Sequence, residues 1–379
     1  MRVALAGGGT GGHIYPAIAI AEALERTPAA HPLQALFIGS RGRLEERIVP
    51  GAGYSIAFVA SAPLERRPSF AILGTVVRNA LGVAQEFIVL HRFQPDLLVA
   101  TGGYVAFPVV VALRLVRLAG LSRARIALLE PNAVPGLANR LLEPLADEIW
   151  LSFTPSEKLG SREVVTGTPV RASFGEPIEA SEARARLGLD PSKTTVVVLG
   201  GSLGARRLNE AVTALAGSGM LPHDWQLLHL TGSDPAMRTT APGLRQIEYL
   251  DDPRPAYAAA DVIVARAGAS TLAEIAATMK PAILVPFPFA TDDHQTLNAE
   301  RFAAGGAACV VSDAEFDAQR LLIELRAVLE PRRLEELGAA ARRGPLRDAA
   351  NAIAARAVAL VSPSCSRVQP RSSANGERP

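Results

Sequence analysis

TTVVVLGGSLGARRLNEAVTAL, residues 194–215, runs from a β-branched stretch through a glycine turn into an alanine- and leucine-rich helix. The chain has said this once before: VALAGGGTGGHIYPAIAIAEAL, residues 3–24, follows the same grammar near the N-terminus. Short apolar runs that alternate with longer amphipathic stretches are the pattern of βα units building a parallel sheet. Two glycine-turn units, each opening a half of similar size, predict an α/β protein of two Rossmann-like domains that face each other.

Working outward, the first half offers candidate strands RVALAG, QALFIG, LLVAT, IALLE and EIWLSF, with helical sequence at Pro16 to Leu24 and Phe107 to Leu118. TGTPVRASF, residues 166–174, breaks the rhythm with Gly, Thr and Pro and is read as the junction. The second half continues with WQLLHLTG, RQIEYL, ADVIVARAG, PAILVPF and ACVVS. One charged helix, RRLEELGAAARRGPLRDAANAIAARAVALV, is expected to close the ordered chain. The expected domains are residues 1–170 and 171–345, with a helix over about 346–361 packing back on the first, and a polar Pro/Ser-rich tail at 362–379 expected to be disordered.

Composition bounds the function. A chain of 379 residues exceeds one ordinary core, and 49% hydrophobic against 20% charged residues describes globular rather than disordered sequence. A net charge of +2 says nothing sharp about partners, and no nucleic-acid partner is expected. Cys309 and Cys365 are far apart and lack CxxC spacing, which argues against a disulfide framework and a structural zinc site. The short apolar run that stops at Gly7 is too little for a secretory signal, so the chain is expected to stay inside the cell. FAILGTVVRNALGVAQEFIVL is interrupted by Arg78, Asn79, Gln85 and Glu86, and is expected to touch a bilayer rather than cross it.

A glycine turn between strand and helix brings backbone N–H groups and the positive end of the helix to an anion. Gly7, Gly9 and Gly12 fit the G-x-G-x-x-G spacing of a dinucleotide site. That site also needs an acid about 20 residues on, and Gly39, Ser40 and Arg41 stand there instead. An NADP-type reading on Arg41 and Arg43 stays open, as does a plain tight turn; neither glycine run carries the Lys-Ser/Thr pair of a P-loop. His13, directly after Gly12 at a helix start, is a candidate general base. In the second half Gly268, Ala269, Ser270 and Thr271 form another strand-to-helix turn, and Glu274 lies where a carboxylate can accept ribose hydroxyls or only complement the helix dipole. Asp292, Asp293, His294, Gln295 and Asn298 suit sugar hydroxyls better than a metal.

Taken in order, GGGTGGHIYPAIAIAEAL, ATGGYVAFPVVVAL, LEPNAVPGLANRLL, GTPVR, GGSLGARRLNEAV and ARAGASTLAEIA…PAILVPFPFATDDHQTLNAERF resemble the MurG family over residues 1 to about 360. The resemblance implies the GT-B fold and inverting transfer of GlcNAc from UDP-GlcNAc to the MurNAc C4 hydroxyl of lipid I. It implies neither cofactor nor metal, and it implies action at the cytoplasmic face of the inner membrane, with other cell-wall and division proteins as candidate partners. By the same resemblance Glu274 would hold the ribose; Ser202 with Ala269, Ser270, Thr271, Leu272 and Ala273 the diphosphate; Leu250 the uracil through its backbone; and Gln295 and Asn298 the GlcNAc hydroxyls. Thr10, Gly11, Gly12, Asn132 and Arg171 would complete the donor site, while Gly9, Gly103 and Tyr104 face the acceptor diphosphate. His13 is the expected base and Glu130 the second candidate. Four positions depart from the family pattern: Leu129 and Pro131 within Leu129-Glu130-Pro131-Asn132, Leu203, and Thr168. The stretch holding Arg66, Arg67, Phe70, Ile72, Leu73, Val76, Val77 and Arg78 is the expected membrane patch, with LRLVRLAGLSRAR adding basic charge, although an ordinary amphipathic core helix has the same pattern. A different acceptor on the same fold, an NADP-binding oxidoreductase, and a non-catalytic nucleotide-sugar scaffold are the rival readings.

Overall fold

The computed structural model describes residues 1–63, 71–155, 158–201, 204–233, 239–343 and 348–362. In the first half, β1 (Arg2–Gly7), α1 (Gly11–Glu25), β2 (Gln34–Gly39), α2 (Leu44–Gly51) and β3 (Ser55–Phe58) lead to α3 (Ala71–Phe93). Then come β4 (Leu97–Gly102), α4 (Ala106–Leu118), β5 (Arg125–Glu130), α5 (Leu137–Leu142), β6 (Glu148–Leu151) and β7 (Glu163–Val165). The strands form one sheet in the order β3-β2-β1-β4-β5-β6-β7, every pair parallel. Val3 to Ala6 of β1 are wholly buried because helices cover both faces, which is why this strand reads as a continuous apolar run rather than an alternation.

The second half holds α6 (Ala180–Arg186), β8 (Thr194–Leu199), α7 (Arg206–Gly217), β9 (Trp225–Leu230), β10 (Leu244–Ile247), α8 (Arg254–Ala259) and β11 (Val262–Ala265). It continues through α9 (Ala269–Thr278), β12 (Ala282–Leu284), α10 (His294–Ala303), β13 (Ala308–Val310), α11 (Ala318–Val328) and α12 (Pro331–Arg343). Its sheet, β10-β9-β8-β11-β12-β13, is parallel and repeats the doubly wound order. The chain then returns to the first half as α13 (Ala349–Val361), where Ile353, Ala354 and Ala357 share a core cluster with Ile14 and Ile18 of α1. Arg356 of α13 grips the Glu148 carboxylate at 2.9 and 2.6 Å. Helix α1 is apolar nearly all round because it lies under α13 as well as over the sheet.

Two expectations need correction. The charged stretch expected as one helix is two, α12 and α13, and Asp348 just before the second has φ −116° and ψ 26°, outside helical geometry. The edge strands β3 and β7 went unread because runs of four and three residues are too short to show a period. Helix α3 by length and composition could cross a membrane over Leu73–Phe93, alone among the described residues. It packs on α4 along Asn79, Gly82, Glu86 and Leu90, while Leu73, Val76, Val77, Leu81 and Ile88 face outward. Arg66, Arg67 and Phe70 of the expected patch lie outside the described residues, as do the side chain of Ile72 and the tail 363–379.

Candidate active site between the two sheets

In a doubly wound sheet, ligands bind beyond the C-terminal ends of the strands where the order reverses. In the first half that point lies between β1 and β4, and in the second between β8 and β11. The two crevices meet: a Cβ added to Gly12, in the first glycine loop, would stand 3.6 Å from the Ser270 hydroxyl at the start of α9. Two helix starts thus converge on one cleft.

The first loop is held from behind by an acid. Glu45, wholly buried in the first turn of α2, accepts the Gly9 N–H at 3.2 and 3.3 Å and the Ser40 N–H at 3.0 Å. The acid missing from the tip of β2 is therefore present five residues after Ser40, but turned inward against the loop rather than toward a ribose. Gly9 has φ 86°, and a Cβ there would meet the Tyr104 ring at 2.7 Å. Its N–H is spent on Glu45, while Thr10, Gly11 and Gly12 further along line the cleft.

A cavity of about 290 Å³ spans both halves here, lined by Thr10, Gly11, Gly12 and Tyr15 from the first and by Leu250, Ser270, Thr271 and Glu274 from the second, with Arg171 from the junction. The Arg171 guanidinium lies 4.7 Å over the Tyr15 ring and 5.6 Å over Phe174, which fixes its charge at the cleft wall. Helix α9 is capped by Gly268 with no side-chain bond, so the amides of Ala269, Ser270 and Thr271 are left for a ligand. The Leu272 and Ala273 side chains are buried in the domain, and the Leu272 N–H bonds the Gly268 carbonyl at 3.0 Å. Glu274 accepts the Tyr257 hydroxyl on Oε2 at 2.6 Å. Burial raises its pKa, and the Tyr257 bond and the Arg171 charge oppose the rise.

The cleft runs on into a larger groove of about 610 Å³ over the second glycine loop, bordered by Gly201, Gly204, Arg266, Phe287 and Gln295. Gln295 accepts the Phe287 N–H at 3.0 Å through Oε1 and lines the groove. Ser202 and Leu203 lie outside the described residues.

On the other side of Gly12, a third cavity of about 360 Å³ is lined by His13, Gly103, Tyr104, Asn132, Asp292 and His294. His13 Nδ1 lies 2.9 Å from the Thr101 carbonyl, which can only accept, so Nδ1 carries the proton and Nε2 keeps the lone pair of the neutral ring. Burial lowers the His13 pKa below 6.5, while the Thr101 bond and the Glu45 charge oppose it. The ring is pressed against two glycines: a Cβ on Gly102 would stand 2.7 Å from Nδ1, and one on Gly103 3.1 Å from Cδ2.

Glu130 lines the same cavity as His13, as expected, but its carboxylate is engaged. It is 2% exposed, with Oε1 accepting the Asn132 N–H and Nδ2 at 3.0 and 3.3 Å, and Oε2 accepting the Gly136 N–H and Asn139 Nδ2 at 3.1 and 2.8 Å. Burial raises its pKa and those four bonds oppose the rise. Both oxygens are bound by the loop that follows and by Asn139 of α5, so Glu130 anchors residues 131–136, and His13 is the stronger base candidate. Asn298, expected at the sugar, is fully buried and spans the halves: its Oδ1 accepts the Ala133 N–H at 2.7 Å, and Nδ2 donates to Asn132 Oδ1 and the Ala267 carbonyl at 3.1 and 3.2 Å. With both amide hydrogens used, Asn298 and Asn132 act as a clasp. Arg140 and Asp292 form a second tie at 3.1 Å. Thr168, a departure from the family pattern, bonds the Ser152 hydroxyl at 2.5 Å, and Leu129 lies in the first core.

Two facing nucleotide-type domains, with a cleft of helix starts and one neutral histidine, are the architecture of the GT-B class of two-domain glycosyltransferases. Residues 3–151 match the Glycosyltransferase family 28 N-terminal domain and residues 195–353 the Glycosyltransferase family 28 C-terminal domain. A Halothermothrix orenii protein named UDP-N-acetylglucosamine--N-acetylmuramyl-(pentapeptide) pyrophosphoryl-undecaprenol N-acetylglucosamine transferase is 35% identical over 90% of this chain and 94% of its own. The protein of that name from Paenarthrobacter aurescens is 38% identical over 89% of this chain and 90% of its own. In fold, the chain is similar to the crystal structure of Acinetobacter baumannii MurG, with TM-score 0.71, 24% identity, and coverage of 95% of this chain and 99% of that one. The chain belongs to the MurG family.

Proposed function

We propose that the chain transfers GlcNAc from UDP-GlcNAc to the C4 hydroxyl of MurNAc in lipid I, giving lipid II and UDP with inversion at the anomeric carbon. The observation that carries this reading is the position of His13, between a cleft lined by Glu274, Arg171 and two helix starts and a second cavity, lined mostly by the first half, large enough for a second sugar. Nε2 takes the proton of the acceptor hydroxyl, the hydroxyl oxygen bonds to the anomeric carbon, and the bond from that carbon to the UDP oxygen breaks. Charge developing on UDP falls on the amides of Ala269, Ser270 and Thr271 and on Arg171, donors already in place before the reaction.

The acceptor is a membrane lipid, so the enzyme works as a peripheral protein on the cytoplasmic face of the inner membrane. The outward face of α3 supports this: Leu73 is 71% exposed, and Val76, Val77 and Leu81 stand beside it. The test is to incubate the purified protein with UDP-GlcNAc and a short-chain lipid I analogue and to identify products by mass spectrometry. The expected result is a lipid-linked disaccharide and an equal amount of UDP. Binding of NADPH but not of UDP, with no disaccharide, would overturn the reading.

A further inference from the structure

Beneath the ribose end of the proposed donor site, Tyr257 of α8 is 2% exposed and directs its hydroxyl at Glu274 Oε2, 2.6 Å away. Its ring is held edge-on by Phe174, with centroids 5.7 Å apart, and Phe174 in turn carries the Arg171 guanidinium. The phenol thus has a fixed position and a single acceptor, and the Glu274 carboxylate it bonds lines the cleft. We infer that Tyr257 is a positioning residue: it pins one oxygen of Glu274 so that the other is presented to the ribose hydroxyls, and it thereby makes the enzyme prefer ribonucleotide over deoxyribonucleotide donors. This inference rests on the reading of Glu274 as the ribose ligand.

The chemistry is that of a buried acid kept ready. A carboxyl in this setting drifts toward its neutral form, which presents one acceptor fewer to a sugar hydroxyl. The groups around it are Tyr257 from α8, Arg171 from the junction, Tyr15 from α1, and Glu248, Tyr249 and Asp251 from the loop after β10. Of these, Tyr257 and Arg171 favour the ionised carboxylate. Burial pushes the phenol itself well above its ordinary range, so it stays a donor at every working pH.

Tyr257→Phe removes the one oxygen and keeps the ring against Phe174. Initial rates are measured from pH 5.5 to 8.5 with UDP-GlcNAc and with its 2′-deoxyuridine analogue. The expected result at neutral pH is a KM for UDP-GlcNAc raised about tenfold, the scale of a hydrogen bond to a charged group, with kcat within about twofold. The preference over the deoxy donor should fall by a similar factor. As pH is lowered, the variant's KM should begin to climb at a higher pH than that of the unchanged enzyme, because the lost bond lets Glu274 protonate earlier. Unchanged KM and donor preference, or a loss confined to kcat, would overturn the inference. Glu274→Gln measured in parallel separates the two ideas: if it binds both donors like the unchanged enzyme, the ribose reading itself fails, whereas an impaired Glu274→Gln beside an unaffected Tyr257→Phe rejects only the role of Tyr257.

Discussion

His13 has one nitrogen to offer, because the Thr101 carbonyl has taken the other. Its protonation therefore controls the proposed reaction directly, and the sign is set by burial: the imidazolium is disfavoured, so the ring is neutral and competent above a pKa lying below 6.5. The turnover rate should accordingly rise with pH along a single limb whose midpoint falls below 6.5 and stay flat through neutrality, read from kcat against pH with both substrates saturating. A midpoint above 7 would contradict this environment. His13 was legible in the sequence because it follows a glycine turn at a helix start. Glu130 was legible as an acid at a strand end, but not as an anchor, since its partners Asn132, Gly136 and Asn139 are ordinary loop and helix residues until the chain folds back on them. Glu45 was not legible at all: an acid in the first turn of a helix has a sufficient local reason to be there.

At the scale of the element, α3 departs most from expectation. Its helical character and its outward apolar face could be read from the sequence, but the residues turned inward include Asn79 and Glu86. Asn79 is satisfied by the backbone of Ala62 in both directions, whereas neither oxygen of Glu86 has a hydrogen-bond partner among the described residues. No periodicity rule puts an unpaired acid on the buried stripe; the close approach of α4, with Gly82 against Pro108, decides it. Burial pushes the Glu86 carboxyl up to about 7 from its ordinary 4.5. A carboxyl raised on folding costs nothing below pH 4.5 and costs progressively more up to pH 7, a loss of roughly 3 kcal/mol that persists at higher pH. Glu86→Met should therefore raise the thermal midpoint at pH 8, with the advantage shrinking as pH falls toward 5; an equal effect at both pH values would refute the account. On the outer face, Leu73→Asp with Val77→Asp should reduce flotation with anionic vesicles several-fold without lowering the thermal midpoint, because both side chains already face water. Undiminished flotation would remove α3 from the docking surface.

At the scale of the whole molecule, the repeated strand–glycine turn–helix unit was enough to predict two doubly wound sheets, since period and punctuation are local properties. How the halves meet was not readable, because the contacts join residues far apart in sequence: Asn298 with Ala133 and Asn132, Arg140 with Asp292, Glu22 with the Ala172 N–H, and Arg301 with the Thr154 carbonyl. Those ties bring the cleft together and give the site its directionality, with the cleft of Glu274 and Arg171 on one side of Gly12 and the cavity of Tyr104 on the other. The account's central claim is that His13, at the meeting point, is the base for sugar transfer across this cleft. The most direct test measures lipid II formation by His13→Ala with saturating UDP-GlcNAc and lipid I analogue, alongside the UDP-GlcNAc dissociation constant. The predicted result is a kcat lower by about 10² to 10⁴ with donor affinity within about twofold of the unchanged enzyme; retained turnover would contradict the claim.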